Sequence, residues 1–277
     1  MLDDDRRTAA EAFAALHVEA PDPAEIEAAA HLEASKARQV IFLLGWMGLL
    51  SVAEIFMGSW LVDYASRAVT GVAGMAEATL YDRVALGLVW VRLVSGIATG
   101  VAFIHWVRLV VRHARRFELG ARMRYTVETA TWAWIIPLIN WFRPYDVLRA
   151  VRDVSRPDVL PSYEIEEHAL PGGYRDPALE RHRIERRRAT VPLGLWWGLF
   201  VSARLSECFF HRTGASYQDV AHMRVLAYVS FVDAGLWMGS ALAAIYLVRG
   251  IVDRRTELYR RASHWARLLR EEKASEP

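Results

Sequence analysis

The chain has 277 residues, 53% hydrophobic and 24% charged, with a formal net charge of +2. A soluble two-domain protein fits the length, but the apolar residues are gathered into long runs, and soluble core helices seldom stay apolar all round for twenty residues. So small a net charge gives no basis for nucleic-acid binding, and a single cysteine, Cys208, excludes an intrachain disulfide and a thiolate metal cluster.

Residues 1–39 read as a cytoplasmic helical tail. Its start is acidic and shows no cleavable signal pattern, Pro21-Asp22-Pro23 breaks it, and 24–39 is an alanine- and glutamate-rich helix leading into the first apolar run. Four such runs follow, Val40–Val62, Val84–Val107, Val191–Phe210 and Val225–Val248. A hydrocarbon core of ~30 Å takes about 20 residues of helix, so each is expected to span. The third is the least hydrophobic, since Arg204 and Glu207 interrupt it. The expected fold is all-α: a polytopic domain over 40–253, then a cytoplasmic amphipathic helix over 254–277.

Sixteen of the 34 basic residues lie between the second and third runs, against two in each of the stretches 63–83 and 211–224. Positively charged loops stay cytoplasmic, so the central loop and both termini are expected inside and the two short stretches outside. Arginine dominates lysine 32 to 2, which reads as the coding bias of a GC-rich bacterial genome and so as a bacterial inner membrane. Glycines four apart (Gly96 and Gly100, Gly194 and Gly198, Gly235 and Gly239) predict close helix approach in a compact bundle.

Each run carries a charge seven to nine residues from its outer end: Glu54, Arg92, Arg204 and Asp233. At 1.5 Å per residue all four lie roughly 10–14 Å below the outer boundary. Each also shares a stripe with small or polar residues, as Glu54 does with Ser51 and Gly58. An intramembrane charge costs at least ~2.5 kcal/mol unless paired or wetted, so the four are expected to form one buried ionic layer. Glu54 would pair with Arg92 and Asp233 with Arg204, or the exchanged pairs. The layer serves either to fix helix order or as a substrate or proton path.

In the central loop, Ala130–Phe142 is too short to span and holds Trp132, Trp134 and Trp141, residues that favour the headgroup zone. Pro137 interrupts any helix there, and Pro144 starts another over 145–154, with Val147, Leu148, Val151 and Val154 on one side. The expectation is an interfacial or shallow re-entrant segment over 130–154 with an amphipathic surface helix. A flexible loop over 154–177 and a short basic helix over 178–189 follow. Asn140 and Arg143 either cap the broken backbone or form a polar site, with Arg143 holding an anionic lipid phosphate. His105 and His113 are expected as interfacial anchors. Ile251, Leu258, Trp265 and Leu269 recur at helical spacing, which suits a helix on the inner leaflet; a pairing helix is the competing reading.

The run Phe103-Ile104-His105-Trp106-Val107-Arg108, then Trp132 to Tyr145 with Pro137, Asn140, Arg143, Pro144 and Tyr145, resembles the bacterial membrane family filed as domain of unknown function 4328. Trp196-Trp197 fits it too. The resemblance covers roughly residues 80–250 and implies an aromatic stretch with proline and asparagine, an Arg-Pro-Tyr ending and an amphipathic helix. It brings no activity with it.

Phosphate-loop, nucleophile-elbow and zinc-helix motifs are missing from the sequence, and Glu207, His211 and His222 are a chance-level metal grouping. No enzyme activity, cofactor or metal is therefore expected. The leading expectation is a membrane scaffold or regulator touching the bilayer, an anionic lipid, a further copy of itself or a membrane partner; the alternative is a transporter or channel subunit.

Overall fold

The first helix begins where its backbone is capped. In the computed structural model, which describes residues 22–72, 74–117, 123–136, 142–156, 191–213 and 220–275, the Asp22 carboxylate accepts the Ala24 N–H at 2.9 Å. Pro23 opens the helix and Glu25 lies in its first turn, both favourable at an N-terminus. α1 then runs Pro23–Val69 without a break. It stops at Gly71, φ +73°, where the N–H of Val72 bonds to Arg67 O and that of Gly71 to Ala68 O. This is a Schellman ending, which calls for a left-handed residue that glycine supplies without strain.

α2 follows as Met75–Phe117, so the outer loop expected over 63–83 shrinks to a turn. Nothing before Thr70 breaks the first helix, and side chains pin the turn. Arg67 bonds to Asp63 and, across the turn, to Glu77, which also accepts the Trp60 indole N–H at 3.1 Å. The remaining elements are α3 (Val127–Ile135), α4 (Arg143–Val154), α5 (Val191–Thr213) and α6 (Val220–Ser275). Every regular element among the described residues is an α-helix.

Three helices are long and apolar enough to cross a membrane: α1, α2 and the Ala227–Leu268 part of α6. Leu86, Val89, Trp90, Leu93, Val94 and Ile97 of α2 are all exposed, a surface suited to hydrocarbon and not to water. These helices mark a membrane protein. The chain forms two compact units, one from residues 1–39, 102–190 and 248–277, the other from 40–101 and 191–247.

In the first unit the starts and ends of the long helices pair by heptad logic. On α6 the buried residues Val248, Ile251, Arg255, Leu258, Ala262 and Trp265 alternate three and four apart, the spacing of a helix-pairing seam. Leu258, Ala262 and Trp265 of this seam share one core with Ile26 and Ala29 of α1 and Phe117 of α2. Glu27 reaches Arg267 and Asp22 reaches Arg270, so α6 runs antiparallel to α1. Ile251, Leu258 and Trp265 of the stripe expected on the inner leaflet are thus covered by protein. The pairing reading holds.

Thr126 caps α3, its hydroxyl accepting the Thr129 N–H. The helix ends at Ile135 because Ile136, which precedes Pro137, is extended at ψ 117°. Ala130 and Ala133 are buried, and the Trp134 ring lies edge-on to Phe103 of α2 at 5.1 Å. α4 packs against α3 and buries Pro144, Val147, Leu148, Val151 and Val154. The apolar side expected of a surface helix is therefore covered inside this unit. Pro137, Asn140, Trp141, the loop after 156 and the basic helix at 178–189 lie outside the described residues.

In the second unit the contacts are not those the glycine pairs predict. A Cβ on Gly100, Gly194, Gly198 or Gly235 would meet nothing within 4 Å, and only Gly96 and Gly239 have neighbours. Close approach instead uses buried alanines seven apart on α6, Ala227, Ala234 and Ala241, and Gly58, where a Cβ would lie 2.8 Å from the Phe231 ring. Gly58→Val is expected to overpack this contact and lower stability by about 1–3 kcal/mol. Thermal unfolding in detergent checks this, with Phe231→Ala in the same chain restoring part of the loss and Gly100→Ala leaving stability unreduced.

Candidate functional site

Glu54 of α1, Arg92 of α2 and Asp233 of α6 come together in the second unit. Arg92 Nη1 forms an ion pair with Glu54, and its Nη2 lies 3.7 Å from Asp233 Oδ2. The face of the guanidinium lies over the Trp237 ring, 5.3 Å from its centre. All three side chains are largely buried, at 15–18% exposure. On the same helices Ser51, Thr99 and Ser240 are buried, and Trp46 donates its indole N–H to Ser95 at 3.0 Å. One cation thus faces two carboxylates drawn from two other helices, which fixes which helices are neighbours and at what register.

Arg204, expected in the same buried layer, is exposed on α5. The buried residue there is its neighbour Ala203, and one residue turns the helix by 100°. The contact of Arg92 with Asp233 is one of the exchanged pairs.

A second cluster, in the first unit, was not among the sequence-derived candidates. Glu33 of α1 takes two bonds from Arg255 of α6, Nε at 2.5 Å and Nη2 at 2.8 Å. Its Oε1 also accepts the Tyr259 hydroxyl at 2.7 Å and meets His113 Nδ1 of α2 at 2.8 Å. Glu33, Arg255 and Tyr259 are each 3% exposed. Arg255 stacks on the Tyr259 ring, 4.9 Å from its centre, and the cleft beside them, bounded by Ala30, Ala34 and Val252, is too narrow for a water molecule. His113, expected as an interfacial anchor, is turned inward because the buried carboxylate needs donors; a carboxylate only accepts, so Nδ1 carries the proton.

Burial raises the pKa of Glu33, but the Arg255 charge and the bonds from His113, Arg255 and Tyr259 outweigh it and hold the carboxyl at about 2. The same partnership raises Arg255 against the effect of its own burial, and burial pushes Tyr259 well up. The sequence trace of this cluster is spacing: Glu33 falls in the series Ile26, Ala29, Glu33, Ala37, Val40, where every other member is apolar, and Arg255 falls likewise between Ile251 and Leu258.

Of the interfacial candidates, Trp132 is exposed and Trp134 is partly covered by Phe103. Arg143 is exposed at the start of α4, Pro144 is buried and Tyr145 is half-buried beside it.

Both clusters give measurable expectations. Removing Glu33 leaves a buried guanidinium unpaired, so Glu33→Gln should cost roughly 3–5 kcal/mol in thermal or denaturant unfolding. A carboxyl held below its unfolded pKa stabilises the fold fully above that value and ceases to as pH falls through the folded one. Stability of the wild type should therefore fall between about pH 4.5 and 2, with a smaller fall in Glu33→Gln. Arg92→Gln removes the guanidinium that two buried carboxylates face, with an expected loss of roughly 3–5 kcal/mol. Asp233→Asn, which removes the longer contact, should lose less in the same assay.

Neither a curated protein nor a solved structure matches the chain. A family profile described as domain of unknown function (DUF4328) matches residues 70–253. The match spans α2 through most of α6 and includes Arg92, Arg143 and Asp233, while Glu33 and Glu54 of α1 precede it. The chain belongs to the DUF4328 family.

Proposed function

We propose that this protein is a non-enzymatic scaffold or regulator of the bacterial inner membrane, with four spans, both termini cytoplasmic, and α3 at the interface. The observation that carries the scaffold reading is the double engagement of Arg92 by Glu54 and Asp233. A guanidinium paired with a carboxylate of one helix, 3.7 Å from that of another and with an indole on its face, acts as a cross-link. Its natural role is to hold a bundle rigid enough to present surfaces to lipids or partners.

Helix direction supports four spans. α2 and α6 both run antiparallel to α1, as the pairs Glu25–Arg116 and Glu27–Arg267 require together with Glu33–His113 and Glu33–Arg255. Two crossings in the same direction need a crossing the other way between them, and α5, with 23 residues, is about 35 Å long, enough for it. The arginine-rich stretch between α2 and α5 then lies inside with both termini.

A transporter or channel subunit is the second reading, favoured by the burial of ionisable groups from three helices, Glu54, Arg92 and Asp233, beside one another. Reconstitution separates the two. Proteoliposomes loaded with a pH dye should pass protons no faster than empty ones, and tags at both termini should be accessible in inside-out vesicles. Proton or cation flux that disappears in Asp233→Asn would overturn the scaffold reading.

A further inference from the structure

Arg108, Arg112 and Arg115 stand on one face of α2, spaced four and three apart, and all are exposed. The neighbouring Arg116 is engaged by Glu25 at 2.9 Å. The acidic group brought near the row is Glu128, in the first turn of α3. Its carboxyl is held below the usual range by its own backbone N–H and Thr126, with Arg115 and Arg108 adding to the effect. Among the described residues, Glu128 is the carboxylate on which Arg115 and Arg108 act, and a row of three guanidinium groups beside it makes the face positive.

α3 runs back along this part of α2, with Glu128 beside Arg108 and Arg115 and Trp134 against Phe103. Its uncovered side carries Trp132 and Ile135, both more than half exposed, and Ile136; Phe142, 74% exposed, follows at the start of α4. The unit therefore presents guanidinium groups at one level and exposed aromatic and aliphatic side chains toward the residues that end the span.

Magnitudes decide how this fits a leaflet. With Val107 at the hydrocarbon edge, Arg108, Arg112 and Arg115 stand roughly 1.5, 7.5 and 12 Å beyond it along the helix. The headgroup zone of one leaflet is about 5–8 Å deep. Arg108 and Arg112 thus lie at phosphate depth, where a guanidinium binds phosphate with two parallel bonds, and Arg115 adds attraction within a Debye length. Trp132 and Ile135 fall at or inside the hydrocarbon edge, where an indole is favoured.

We propose that this face is a binding site for acidic phospholipid, with Arg108 and Arg112 holding the headgroup phosphates and Trp132 and Ile135 seated among the upper acyl chains. The site rests on the membrane reading above for the level of Val107. It places the phosphate grip on α2, apart from the Arg143 candidate on α4.

The test uses the full chain, purified in neutral detergent and stripped of lipid. Its unfolding midpoint is measured with phosphatidylglycerol, phosphatidylcholine or inorganic phosphate at equal phosphate. Phosphatidylglycerol should raise the midpoint by several degrees, the other two should not, and the shift should shrink with added salt. R108Q/R112Q should lose at least half of the shift, R108K/R112K less, and W132A part of it. R260Q/R270Q removes the same charge elsewhere in the unit and should keep the shift. Equal shifts with the two lipids, a full shift in R108Q/R112Q, or a shift reproduced by inorganic phosphate would each overturn the proposal. If R108Q/R112Q does not fold, retention of phosphatidylglycerol over phosphatidylcholine by the lysine variant and the wild type in native mass spectrometry decides instead, and equal retention overturns it. An error in the membrane reading would appear separately, in the tag accessibility of the termini.

Discussion

A charge taken out of water must meet its opposite on another helix, and in this chain the first helix brings the acids. Glu33 and Glu54 lie 21 residues apart on α1, and each meets an arginine of another helix, Arg255 in one unit and Arg92 in the other. A lone buried ion costs several kcal/mol, and a pair recovers this only with good geometry and further hydrogen bonds. Glu33 has both, with a two-bond grip and two more donors. The pairs therefore act mainly by making other registers costly: sliding α1 by one turn takes Glu33 from Arg255 and Glu54 from Arg92. The matched family segment begins at residue 70, so this helix, with both carboxylates, packs onto the family domain from outside its matched bounds.

Around those anchors, ordinary packing follows. α6 turns a three-four pattern of Ile, Leu, Ala and Trp toward α1 and α2, and Arg255 stands in that pattern as its one charged member. Buried alanines on α6 and the single tight glycine on α1, Gly58, let the helices approach where large side chains would hold them apart. Elsewhere α2 leaves its apolar side chains uncovered, as a helix facing lipid does.

Much of this was legible from pattern alone. The apolar runs, the inward stripes beside Glu54, Arg92 and Asp233, and the buried face of α4 follow from 3.6-residue periodicity, which needs no knowledge of the neighbour. The misreadings share one cause. Whether the Ile251, Leu258 and Trp265 stripe meets lipid or protein, whether Gly100 or Ala234 makes a contact, and whether His113 points outward or inward all depend on what lies opposite, and periodicity says only which face is apolar. Arg204 shows the limit most plainly. Depth along a helix can be counted from the sequence, but the rotation that buries Ala203 and exposes Arg204 is set by packing.

The sequence by itself determined an all-helical membrane chain, because twenty apolar residues in a row have few other favourable environments and must satisfy their own backbone as helix. It also determined which charges needed partners. Tertiary structure alone decided who the partners are: Arg92 serving two carboxylates, and Glu33, hidden among alanines, becoming the centre of a four-residue network. A charge states that it must be compensated, and only the arrangement of helices in space brings a particular opposite charge within reach.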